Sequence, residues 1–220
     1  MAENLEAETE QHEGEQHTAH LPAAFSPERL EAFSDGVMAV IITIMVLEIA
    51  SPDGGSISAL VPLVPHLLIY LLSFTFIGIY WNNHHHMLRA TRRIDGAVMW
   101  ANLHLLFWLS LIPIATKWSG ENHTDVAPAV AYGAVALLAA IAYVILERFI
   151  IRANHGTDIE RALRNSAKDT ISPAIYVVGM ALAFVPAIGS ISPIGWLLSY
   201  LAYATVAVIW FIPDRRLTRR

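Results

Sequence analysis

The chain has no cysteine. That excludes disulfide bonds, thiolate metal centres and cysteine nucleophiles. Charge is scarce too: 15% of the 220 residues are charged and 55% are hydrophobic, whereas an ordinary soluble domain carries about 25% charged residues. The acid that exists is concentrated. Residues 1–24 hold six glutamates and no Lys or Arg, so the tail contributes −6 to an overall −5 and the remainder carries +1. The tail also lacks the large apolar side chains that would offset its ordering entropy, which predicts disorder over 1–24. It has neither a basic n-region nor an apolar h-region, so a cleaved signal peptide is not expected. Its three histidines, His12, His17 and His20, fit a solvated tail better than a metal site. No Gly-rich phosphate loop, G-x-S-x-G elbow or HEXXH helix is present, and these absences argue against an enzyme. No cofactor, resident metal or nucleic-acid partner is expected.

Long apolar runs make up most of the rest. Mean hydropathy is +0.47. Six segments, 27–49, 62–82, 97–116, 127–150, 171–189 and 194–212, approach the ~20 residues that cross ~30 Å of hydrocarbon. The expected fold is an all-α membrane protein of six transmembrane helices, with a channel-forming domain over 25–213 and a basic tail over 214–220. Ser26-Pro27 supplies a cap and a first-turn proline for the first helix. Pro113 and Pro186 should kink or end later ones. AIGSISP, between the last two segments, predicts a tight antiparallel hairpin.

Basic residues orient the bundle. Given six crossings, 13 of the 14 Lys and Arg residues fall on one side: Arg29, Arg89, Arg92 and Arg93, the group from Arg148 to Lys168, and the four after the last segment. Lys117 alone falls on the other. The positive-inside rule then places both termini in the cytoplasm.

The first helix carries the most information. Gly36, Val40, Thr43 and Leu47 share one face. Small residues and Thr are common where membrane helices pack, so the face reads as a packing seam. It also reads as a pore lining, in which Val and Leu form a dewetting constriction and Thr offers oxygens to a partly dehydrated ion. Asp35 is a carboxylate placed toward the membrane. Such groups either snorkel to the interface or find partners in protein or water.

RLEAFSD fits the pattern R-x-x-x-F-S-D at Arg29, Phe33, Ser34 and Asp35 and continues into GVMAVIITIMVLEI. This resembles the signature of the transmembrane-protein-175 family, the potassium channels of endosomes and lysosomes and their prokaryotic relatives. YWNNHHHML (80–88) and NLHLLFWLSLIPIATKWSGEN (102–122) are similar to the family's second and third helices. The likeness covers about 25–122 and is topological beyond. It implies the single-copy form: six helices per chain, four chains around a pore, and helix 1 lining the path of the permeant potassium ion. The family's narrowest ring is an Ile or Leu five residues after the motif Asp. That position is Val40 here, a shorter and β-branched departure. The hydroxyl ring falls on Thr43 and a further apolar ring on Leu47. The resemblance also implies that Arg29, Phe33, Ser34 and Asp35 hold the pore helix in place, with Trp81, His84, His85 and Asn102 as the candidate partners. Sequence alone does not say which of His84, His85 and His86 turns inward.

The remaining constellations are weaker. Consecutive helical residues point about 100° apart, so the HHH run cannot present three ligands to one point. With His104 it reads as packing or network histidines rather than a metal centre. Glu48 either draws cations to the mouth of helix 1 or is an ordinary interfacial carboxylate. Glu147 and Arg148 read as an interfacial pair. Trp100, Trp118, Trp196 and Trp210 fit interfacial belts, and RRLTRR suits anionic headgroups. No TVGYG filter occurs, so a potassium preference arises without a carbonyl cage. The expected function is a potassium-preferring cation channel, a homotetramer in the lipid bilayer of the cell membrane. The alternatives are a proton-coupled secondary transporter using Asp35 and the histidines, and a membrane enzyme built on a histidine-bound metal.

Overall fold

The computed structural model describes residues 26–156, 168–185 and 194–211. The acidic tail, the basic tail, Pro186 and the AIGSISP connection lie outside the described residues.

Everything regular among the described residues is helical. Helix α1 spans Pro27–Leu47. Ser26 holds an extended backbone and accepts a bond from the Arg29 N–H through its hydroxyl, with Pro27 pre-set at the first helical position. A short 3-10 turn, Ile57–Leu63, leads into α2, Val64–Ala90. The apolar run predicted to end at 82 is therefore only part of this helix. Asn82, Asn83 and the three histidines end the hydropathy signal but not the hydrogen-bond ladder, because several of these polar side chains meet protein rather than lipid. Arg89 closes the last turn, where a cation complements the helix dipole.

The predicted third segment is two helices. Asp95 caps α3, Gly96–Ser110, by accepting from the Val98 N–H at 2.9 Å. The ladder then breaks at Leu111 and restarts as α4, Ile112–Glu121. Pro113 is the cause: it has no N–H to give and is tolerated only in a first turn. Helix α5 spans Val126–Ala153, α6 spans Lys168–Leu182 and α7 spans Gly195–Phe211. By length and hydropathy, α1, the 57–90 stretch, the α3–α4 stretch and α5 can each cross a membrane. Helices α6 and α7 are apolar but shorter, and the segments predicted for them run past the described residues.

Two cores meet on α5. One gathers Met38, Ile41 and Met45 of α1 with Ile77 and Leu88 of α2, Leu105 and Leu109 of α3, and Leu146 of α5. The other is rich in tyrosine: Tyr132 and Tyr176 meet Phe76, and Tyr200 and Tyr203 meet Tyr132. Ala129, Gly133, Ala136, Ala139 and Ala142 form a buried row of small residues on α5, which lets neighbouring helices approach closely. Gly133 is required there, because a Cβ would overlap the Tyr203 ring and hydroxyl. Tyr203 in turn donates to the Ala129 carbonyl at 3.0 Å. Ser73 of α2 joins Thr116 of α4 at 2.7 Å and Tyr132 of α5 at 2.9 Å. Asn154, at the end of α5, accepts from the Arg92 and Arg93 N–H groups at 3.1 and 3.0 Å. It thereby clamps the α2–α3 connection that carries α3 to α1.

Candidate functional site

Helix α1 packs on α2, α3 and α4. Its buried stripe is Ser34, Met38, Ile41 and Met45, spaced as one helical face. The other side is exposed among the described residues. Gly36, Val40, Thr43 and Leu47 are all exposed, Val40 at 55% and Leu47 at 81%. A groove follows this side, walled by Phe33, Val37 and Ile44 on α1 and by Pro113 and Ile114 on α4. The Thr43 hydroxyl donates to the Val40 carbonyl at 2.9 Å. Its proton is thus committed to the backbone, and its oxygen is left as an acceptor.

Polar links hold the packed side. Ser34, His84 and Asn102 are fully buried. The Ser34 hydroxyl donates to the Leu30 carbonyl at 2.8 Å. The Asn102 amide N–H donates to the Ser34 oxygen at 2.9 Å, and the Asn102 carbonyl oxygen meets His84 Nε2 at 2.7 Å. Each assignment forces the next. Ser34 has spent its proton on Leu30, so it accepts from Asn102. The Asn102 oxygen then faces His84, so Nε2 carries the imidazole proton. One chain of bonds therefore runs from α1 through α3 to α2.

The three consecutive histidines have three different surroundings. His84 is buried in that chain. His85 is half-buried, with Nδ1 2.6 Å from Glu31 Oε1, and its ring stacks on Trp81 at 5.7 Å. His86 is exposed. Arg89 Nε lies 3.6 Å from the same Glu31 oxygen. Asp35 is half-buried, and its Oδ1 has no hydrogen-bond partner among the described residues. Asp35 lies in a group with Glu31 and His85. The Arg29 and Phe33 side chains are exposed, and neither has a polar or ring partner among the described residues. His104 is also exposed and accepts from the Trp108 indole N–H at 2.9 Å. It does not join the consecutive histidines in a metal-ligand group among the described residues.

Two further residues escape sequence reasoning. Glu31 is one turn before Asp35, and that i, i+4 spacing was the available signal for a second carboxylate on the same face. Lys117, the lone cation of its side, ion-pairs with Glu48 across α4 and α1. Its isolation in the charge pattern was a hint, but the partner needed the third dimension.

Apolar helices long enough to cross a membrane, packed together around two cores, define a helix-bundle membrane protein. The family model described as endosomal/lysosomal potassium channel TMEM175 matches residues 29–113, which run from the first motif residue to the proline that divides α3 from α4. A protein of Chryseobacterium sp. (strain P1-3) named a potassium channel is 48% identical over 193 residues, 87% of this chain and 95% of that protein. The chain belongs to the TMEM175 family. A crystal structure of a lysosomal potassium-selective channel TMEM175 homolog from Chamaesiphon minutus matches with a TM-score of 0.71 at 29% identity, covering 84% of this chain and 96% of that one. A mouse (Mus musculus) protein named endosomal/lysosomal proton channel TMEM175 is 32% identical over 120 residues, 49% of this chain and 24% of that protein.

Proposed function

We propose that the protein is a potassium-preferring cation channel of the cell membrane. Four copies surround an axis, α1 of each lines the path, and both termini lie in the cytoplasm. The observation that carries this reading is the bare face of α1. A helix buried on one side by its own protomer leaves Gly36, Val40, Thr43 and Leu47 exposed among the described residues, and one copy cannot enclose a hole with them. Arranged as rings, Val40 and Leu47 repel water while Thr43 supplies acceptor oxygens between them. No bound cofactor is involved. The Ser34–Asn102–His84 chain acts as an anchor: it fixes the rotation of α1 and so decides which face reaches the axis. On this reading Phe33 and Arg29 find their partners at the neighbouring copy, and Trp81 steadies His85, a second link from α2 to α1 through Glu31.

The test is ion flux in liposomes holding the purified protein. A current that reverses at the potassium potential and rises linearly with driving force is expected. Reversal at the proton potential would favour the activity in the mouse relative's name. Saturating flux that requires a pH gradient would favour a proton-coupled carrier. Either result would overturn the potassium reading.

Glu48 and Lys117 stand at the end of α1 away from Arg29, where the ion pair cancels the carboxylate's charge. Lys117→Gln leaves Glu48 unpaired. Cation flux is then expected to rise at low ionic strength and to converge on wild type near 1 M salt, where the Debye length falls to ~3 Å. A flux ratio that does not change with salt would place Glu48 away from the ion path.

A further inference from the structure

We infer that the junction of α1 with the end of α2 is a binding site for a divalent transition-metal ion such as zinc, with Glu31, Asp35 and His85 as its protein ligands. One ligand atom from each of these residues can be chosen so that all lie within 4.8 Å of one another. Glu31 and Asp35 are one helical turn apart and share a face of α1, while His85 comes from α2. The assignment concerns binding alone and does not depend on where the ion path runs.

Two observations point to an ion rather than to simple pairing. His85 Nδ1 is 2.6 Å from Glu31 Oε1, yet the two make no hydrogen bond, because the oxygen lies off the direction in which a ring N–H would point. The ion pair therefore leaves the His85 nitrogen without a hydrogen bond of its own. Asp35 Oδ1 is sealed from solvent and has no hydrogen-bond partner among the described residues. A carboxylate oxygen in that state in a membrane protein calls for positive charge nearby.

The donor set selects the ion class. Two carboxylates and one imidazole suit zinc and its first-row neighbours, whereas magnesium and calcium take oxygen ligands. Three protein ligands leave a further position for water. Trp81 stacks on the His85 ring at 5.7 Å and restrains its orientation. A cleft bordered by Pro27, Leu88 and Thr91 reaches Glu31 and Asp35 and provides a way in. The positive group facing the site is Arg89, whose Nε is 3.6 Å from Glu31 Oε1. Its side chain is 69% exposed, so it can swing into water when a divalent ion takes its place. Glu28 on the cleft rim adds negative charge. An ion held here ties the first turns of α1 to the last turns of α2.

The experiment uses the full chain in detergent with His12, His17 and His20 changed to Ser, so that the tail binds no zinc. Zinc affinity is read by competition with a chromophoric chelator, and stoichiometry by elemental analysis after desalting. One zinc per chain is expected, and cobalt in its place should give a visible d–d absorption band. His85→Gln and Glu31→Gln should each weaken zinc binding about tenfold or more. Arg89→Ala, which removes the competing cation, should bind at least as tightly as the parent. Size-exclusion profiles keep misfolded variants out of the comparison, and Asp35→Asn gives a third, independent ligand test. Absence of stoichiometric zinc in the tail-silenced parent would overturn the site. So would retention of zinc by the His85 and Glu31 variants, or magnesium binding as tightly as zinc.

Discussion

Replacing Val40 by Trp is expected to abolish ion flux in proteoliposomes, and replacing it by Ala is expected to raise flux or leak. The side chain is 55% exposed in the protomer, so its substitution removes little packing, and changes at such positions usually stay within about 0.5 kcal/mol of wild type. Variants should therefore purify and melt like the parent. A flux change then reports the assembled path rather than damaged folding. Val presents a smaller apolar surface than the Ile or Leu that the family resemblance implies at this place. Ala would cut that surface further and weaken the dewetting that excludes water from a narrow apolar ring. An indole from each copy would fill the ring. If both variants conduct like wild type, Val40 does not form the constriction.

The second large effect is expected at Asn102. Asn102→Leu keeps the volume but strands His84 Nε2–H and the Ser34 oxygen in a fully buried interior. Each unsatisfied buried group costs about 1–3 kcal/mol, so two strand about 2–6 kcal/mol in a protein whose whole stability is commonly ~5–15 kcal/mol. Interhelical hydrogen bonds in membrane proteins average only ~0.6 kcal/mol in double-mutant cycles, because the unfolded reference also finds partners. That figure is a pairwise coupling with the single losses subtracted, whereas Asn102→Leu strands two groups outright, so the larger estimate applies. Ser34→Ala deprives only the Asn102 amide and should cost about 1 kcal/mol. Thermal unfolding in detergent should rank the variants wild type, then Ser34→Ala, then Asn102→Leu, with flux lost in the last. Equal melting of the two variants would mean that the three side chains do not act as a linked unit.

Much of α1 was legible in the sequence. Ser26-Pro27 marked its start because capping and proline preferences are local. Its two faces followed from helical period, which needs no knowledge of neighbours. The length of α2 was not legible, because hydropathy measures fitness for lipid and the end of this helix meets protein as well. His84 is as polar as His86, and only the position of α3 distinguishes the buried one from the exposed one. The division of α3 from α4 was half legible: Pro113 announced a disturbance, but whether it would bend the helix or split it depends on the backbone around Leu111. Pairings between distant elements, such as Lys117 with Glu48 and His85 with Glu31, left no trace in spacing at all.

The split at Leu111 means that the two ends of α1 are attached to different bodies. Asn102, on α3, grips the end near Ser34. Thr116 and Lys117, on α4, touch Met45 and Glu48 at the other end. A continuous rod would transmit a tilt of one attachment to the other. Two rods that meet at a break do not have to, so the Ser34 end and the Met45 end of α1 answer to separate supports.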